Sequence, residues 1–428
     1  MTTTTMTPVS ESELGRHLLT IRGFHFVLGA LGDPYARLLH GDGDGTAAIG
    51  EEIRRRGPLY RSELGPWVTA DAEVAAALLR EPRLDTGHPG AGQDHVRENL
   101  WETWRTCHVT PLSGTPLTLP LAEYARLARL NNPVLGPRVA GSWRADVRRA
   151  LSTVLDPLGP RFDLVTDLAG PAVAAALAAV LGFPDPAAAE LATLLPRLGV
   201  APDSVLCPPR LPVAGELAEA AARARELARD LVEERAAGPR DDAVSALLAT
   251  GHDRADVAQV CLLYLVAGAG IATATLAGAV VALLGHPDRW AALRQDPGLA
   301  ADAVEETLRW APPVRIVSRI AQEPIAIAGQ EIDADDHVVI LVDAANRDPS
   351  AGPDPDRFDP ARKNALNLSL TGGGYEGLVA PLARLIATEA VRGVATRMPG
   401  LRTDGALLHR MRSPVVQAVL KLPMSTGG

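Results

Sequence analysis

A glycine-rich turn is the first place in this chain where residue types and spacing suggest chemistry. It reads Leu370-Thr-Gly-Gly-Gly-Tyr-Glu-Gly-Leu-Val-Ala-Pro-Leu-Ala-Arg384. Gly372, Gly373 and Gly374 suit a backbone that turns sharply or approaches another group closely. Leu382, Leu385, Ile386 and Val391 then recur at helical spacing, which predicts a helix from Pro381 to about Met398. Pro381 fits its first turn, where a missing N–H costs little. Glycine-rich loops that enter helices often cradle phosphate. This one has no Lys followed by Ser or Thr and no Gly-x-Gly-x-x-Gly register, so phosphate chemistry is not indicated.

A second candidate is Val266-Ala-Gly-Ala-Gly-Ile-Ala-Thr273, inside an uncharged run from Val257 to Gly285. The run is long enough to cross a bilayer. Its flanks, Asp253, Arg254 and Asp256 before it and His286, Asp288 and Arg289 after it, show no positive bias. A buried central helix is therefore expected rather than a membrane span. Gly268 and Gly270 each cost about 1 kcal/mol relative to Ala inside a helix, so a kink or local irregularity is expected there. A third candidate is ionic. Glu306 and Arg309 stand three apart on a predicted helix, and Arg357 follows in Asp354-Pro-Asp-Arg-Phe-Asp-Pro360. Charge pairs at that spacing are common and carry little information alone.

The elements that must position these residues are mostly helical. Helices are predicted at about 47–56, 71–80, 121–131, 138–157, 165–182, 185–197, 211–237 and 240–250. Leu59 to Thr69 reads as a hairpin around Gly65-Pro66, and strand patterns occupy about 314–343 and the last 30 residues. This is an α+β class. Residues 1–9 read as a disordered start with no signal-peptide pattern. Residues 10–46 read as an N-terminal helical arm, opened by a capping box of Ser10 and Glu13, and residues 47–428 as one domain. Residues 81–120, rich in Gly, Pro and Thr, read as a long functional loop.

With 428 residues, 47% of them apolar but only 4% aromatic, a large core must be filled by Leu, Val and Ala. A formal charge of −9 argues against a nucleic-acid partner. Cys107, Cys207 and Cys261 are too scattered for a disulfide framework or a metal site, which suits the cytoplasm.

The loop and its Ala380-Pro-Leu-Ala-Arg384 tail resemble the haem-ligand loop of cytochrome P-450 enzymes, in which Phe-Gly-x-Gly-x-His/Arg-x-Cys-x-Gly precedes a Leu-Ala-Arg helix. The resemblance covers about 47–425 and implies the P-450 fold with a long central helix. It also implies what is missing. Gly373 matches, but Leu370 stands at the Phe position, Tyr375 at the His/Arg position, Gly377 at the ligand Cys and Val379 at the following Gly. Glycine supplies no thiolate to push electron density onto iron. In the central helix the family's Ala-Gly-x-Asp/Glu-Thr relay keeps Ala267 and Gly268, but Gly270 replaces the acid and Ile271 the threonine. Thr273 lies about 200° further around the helix. At the start of the helix near 121, Tyr124 and Ala128 take the places of the His and Arg that hold haem propionates, with Arg126 and Arg129 nearby. Arg319 still matches a propionate Arg, or is a strand-end ion pair. Kept intact are Glu306-x-x-Arg309, Arg357 and the Ala345-Asn-Arg-Asp-Pro349 turn, which the resemblance gives a scaffold role.

A P-450 frame stripped of its haem residues resembles the helper proteins that bind and activate glycosyltransferases of macrolide and anthracycline pathways. The N-terminal Arg22-Gly-Phe-His-Phe26 and Gly32-Asp-Pro-Tyr35 also look like that group. The resemblance implies a non-catalytic protein without cofactor or metal, in complex with a transferase that moves an NDP-deoxy(amino)sugar to a polyketide aglycone. Leu14, Leu18, Phe24 and Phe26 are the candidate partner patch. Two alternatives stay open. One is a divergent haem monooxygenase with a non-Cys ligand from Tyr375 or Glu376. The other is a vestigial pocket, lined by the central helix, that binds an aglycone-like molecule.

Overall fold

The computed structural model describes residues 11–41, 46–87, 117, 119–207, 209–411, 413–416 and 418–427. The expected disordered start, the Ser10 cap and most of the loop at 81–120 lie outside them.

Leu, Val and Ala fill the interior, as the scarcity of aromatics requires. The central helix spans Arg254–Gly285 and is 83% buried over its most apolar stretch, so its hydrophobicity is spent on the core. It is not regular. Tyr264–Gly268 forms a π turn that ends on Gly268, while Gly270 lies in the regular helix after it. The helix Leu211–Ala237 runs as its pattern predicts. Leu121–Leu135 continues past the expected end, through Pro133. The segment expected as helix at 138–157 splits into a 3-10 turn at Ala140–Trp143 and a helix at Arg144–Leu155. The next helix, Gly170–Leu181, is preceded by a strand at Arg161–Asp163 and a π turn at Leu164–Ala169. That strand pairs with Pro423–Ser425 from the other end of the chain, a contact no local pattern announces.

The main sheet has five strands: β1 (Tyr60–Arg61), β2 (Trp67–Thr69), β3 (Leu84–Asp85), β4 (Ile316–Ala321) and β5 (His337–Leu341). Their order is β1-β2-β5-β4-β3, with β2 and β5 parallel and the remaining pairs antiparallel. β4 carries Arg319 toward the glycine-rich loop, and the helix Val379–Arg397 leaves that loop beneath the central helix.

At the N-terminus one helix, Glu11–Ala30, runs through Gly23 and Gly29. Asp33 caps the next, Pro34–His40, by accepting from the Ala36 N–H at 2.7 Å. Tyr35, Leu38 and Leu39 from that short helix belong to the main core, so the arm is packed into the body.

A closed glycine-rich loop as candidate functional site

Close approach explains the loop's glycines. A Cβ at Gly372 would lie 2.4 Å from the Leu79 carbonyl oxygen, and Gly372 itself adopts φ +65°. A Cβ at Gly373 would lie 2.5 Å from Arg319 Nη2, and one at Gly374 2.4 Å from the Tyr124 ring. Tyr124 is buried against the loop, and burial raises its pKa above the usual phenol value. One turn along the same helix, Ala128 Cβ would lie 2.9 Å from a Cβ at Gly377.

The central helix closes on the loop from the other side. A Cβ at Gly268 would meet Val379 Cγ1 at 3.2 Å, so helix and loop pack directly. Tyr264, in the π turn, donates its hydroxyl to the Leu378 carbonyl at 2.8 Å, with Asn131 Oδ1 3.3 Å away. Asn131 is fully buried and donates from Nδ2 to the carbonyls of Gly377 (3.1 Å) and Leu378 (3.3 Å). Sequence reasoning missed both clamp residues. The one available signal was a tyrosine hydroxyl and an asparagine amide in otherwise apolar surroundings, which must find partners when buried. Asn131→Ala should cost about 1–3 kcal/mol in urea unfolding, because it strands buried carbonyls, and Tyr264→Phe about 1 kcal/mol.

These residues do not fit a haem. Gly377 presents no donor atom, and its neighbours leave a side chain there no room. Ile271 is buried core and Gly270 carries nothing to relay a proton. The Thr275 hydroxyl donates to the Ile271 carbonyl at 2.7 Å, inside the helix. Tyr124 and Ala128 bring no positive charge to a propionate. Glu376 accepts from the Gly372 N–H at 3.2 Å, within the loop itself. Neither described cysteine is a thiolate. Burial pushes Cys261 up to about 12 and raises Cys207, whose Sγ donates to the Leu39 carbonyl. Among the described residues no cluster of three His, Cys, Asp or Glu could hold a metal ion.

A cavity of about 180 Å³ remains, but on the sheet side of the loop. Ile21 and Leu39 from the N-terminal helices, Leu206, Val317 and Arg319 from β4, Tyr124 and Tyr375 line it. No central-helix residue does, which corrects the expectation of a pocket lined by that helix. The contact of Val379 with Gly268 has removed that space. Arg319 is 8% exposed and donates to the carbonyls of Ser318 and Gly372, both at 2.8 Å. It makes no ion pair with a described carboxylate, so the strand-end salt bridge is not found. Burial holds its pKa below the usual arginine value.

The ionic scaffold is present with one member changed. Glu306 and Arg309 are buried and form a bidentate pair, both contacts at 2.8 Å. Arg309 also donates to the carbonyls of Asn346, Pro355 and Arg357. The Arg357 side chain is exposed and contributes only that carbonyl. Arg362 takes its place, with Nε 3.6 Å from Glu306 Oε1 and Nη2 donating to the carbonyls of Asp354 and Arg357.

The expected partner patch does not share one surface. Leu18 is buried against Ala214 and Leu211, and Phe24 packs on the main core. The Leu14 side chain lies outside the described residues. Phe26 is exposed, on a row with Leu19, Val27 and Leu31. Eight residues rotate Phe26 about 80° around the helix from Leu18, and the body covers the Leu18 side while leaving Phe26 in solvent.

A model of the cytochrome P-450 family matches residues 213–365. Protein AknT of Streptomyces galilaeus is 42% identical, over 97% of this chain and 96% of its own. Protein DesVIII of Streptomyces venezuelae is 37% identical, over 99% and 96%. The cytochrome P-450 family protein EryCII of Saccharopolyspora erythraea is 30% identical, over 98% and 99%. Among solved structures, ligand-free CYP164A2 of Mycobacterium smegmatis is similar with a TM-score of 0.76 at 28% identity, covering 92% of this chain and 99% of that one.

Proposed function

Since the chain belongs to the cytochrome P-450 family, we propose that it is a non-catalytic member, a cytoplasmic helper that binds and activates a glycosyltransferase carrying an NDP-deoxy(amino)sugar to a polyketide aglycone. The observation that carries this reading is the direct packing of the central helix on a loop whose ligand position is Gly377. Full-length similarity to AknT, DesVIII and EryCII supports it, because the whole frame is shared while oxygen chemistry has lost its residues. A scaffold that binds only the active transferase fold stabilises it through linkage, by about 2.7 kcal/mol at a hundredfold excess over Kd.

The test is sugar transfer and thermal unfolding of the transferase with and without this chain. Faster transfer and a raised Tm are expected; equal rates and equal Tm overturn the reading. An absorption spectrum of the purified chain separates it from a haem monooxygenase, which would show a stoichiometric Soret band. For the partner face, as revised by the fold, the pair Phe26→Ser and Leu31→Ser should weaken co-elution with the transferase while changing the Tm of the isolated chain little, since both side chains are exposed and Phe26 gives up one ring contact, with His40.

A further inference from the structure

The cavity beside the glycine-rich loop combines two features that a collapsed remnant would not keep. It is open, at about 180 Å³, and it holds a guanidinium in no ion pair with a described carboxylate; Asp85, on the adjacent strand, acts on it only through space and is itself engaged by the N–H groups of Thr86 and Leu121. Burying a cation without a partner is unfavourable. Arg319 has five N–H donors, and the contacts it makes are to two neutral carbonyls, those of Ser318 and Gly372. The nearby carboxylate on the cavity wall, Asp336, is already engaged by Arg61 at 2.9 Å and by the Trp67 indole N–H at 3.0 Å. His25, also on the wall, adds no positive charge at neutral pH, because burial lowers its pKa to about 4.

We propose that this cavity binds a compact monoanion with an apolar body, an aryl or short-chain carboxylate, whose charge pairs with the Arg319 guanidinium. Size sets the class. A dry cavity of about 150 Å³ holds benzene, whereas drug-sized ligands need about 300–1,000 Å³. The space therefore takes a ring or short chain plus one carboxylate, and excludes a haem or a whole polyketide aglycone. Ile21, Leu39, Leu206 and Val317 supply the apolar walls, and Tyr375 a hydroxyl for the second carboxylate oxygen. Arg319 reaches a carboxylate with the paired donors that suit bidentate contact.

The proposal concerns the isolated chain, so it stands or falls apart from the transferase reading. Purified protein is titrated by calorimetry with benzoate and, as a neutral isostere, benzyl alcohol. Saturable one-to-one benzoate binding is expected, with benzyl alcohol weaker by about tenfold or more. Arg319→Gln should weaken benzoate by about tenfold or more yet leave benzyl alcohol binding unchanged, which shows that the cavity has survived the substitution. Leu206→Trp, which fills the cavity from another element, should abolish both. No benzoate heat, equal affinity for the two probes, or benzoate binding indifferent to Arg319→Gln or Leu206→Trp would each overturn the proposal.

Discussion

Glu306→Ala should lower the stability of this protein by about 3–5 kcal/mol, while Arg357→Ala should change it by less than about 0.5 kcal/mol. Glu306 is buried and faces Arg309 through two hydrogen bonds, and Oε1 also accepts from the Asp359 N–H at 2.8 Å. Removing the carboxylate leaves the Arg309 guanidinium buried and uncompensated, at 2% exposure. It also releases the Asn346–Asp359 meander, which Arg309 ties through three carbonyls. Arg357→Ala keeps its backbone oxygen and loses only an exposed side chain. Arg362→Ala should fall between, at about 1–3 kcal/mol, because three of its carbonyl contacts staple residues 353–357. Urea unfolding of the three variants measures the order. A larger loss for Arg357→Ala than for Arg362→Ala would reverse the assignment of the third cation.

Gly377→Cys should not turn the chain into a haem protein, although it restores the side chain that the family places on iron. The new Cβ would meet Ala128 Cβ at 2.9 Å, an overpacking that costs about 1–3 kcal/mol. A planar cofactor would further have to part Val379 from Gly268 and break the Tyr264 and Asn131 hydrogen bonds to the loop carbonyls. Among the described residues lining the cavity it would find one arginine or lysine, Arg319, for two propionates. The expected result, with excess haem supplied during expression, is a colourless protein with a lowered urea midpoint. A Soret band at near-stoichiometric haem would show that the closure is soft and that only the thiolate had been lost.

The amino-acid order alone determined the frame of this protein and the loss at its centre. Long helices such as Leu211–Ala237 follow from local periodicity, and the buried central helix from an uncharged run with unbiased flanks. The substitution of glycine at 377 is visible without coordinates, because a missing side chain is missing in any conformation. Tertiary structure decided everything that depends on where a side chain ends. Arg357 and Arg362 are equally plausible partners for Glu306 until the meander's path points one outward and one inward. Leu18 and Phe26 read alike on an isolated helix until the body covers one face. Whether the lost cofactor left a void or a contact depended on the separation of two elements more than a hundred residues apart. The fold brought Val379 onto Gly268 and left the open space beside Arg319 instead, because glycine permits close approach but does not dictate what arrives.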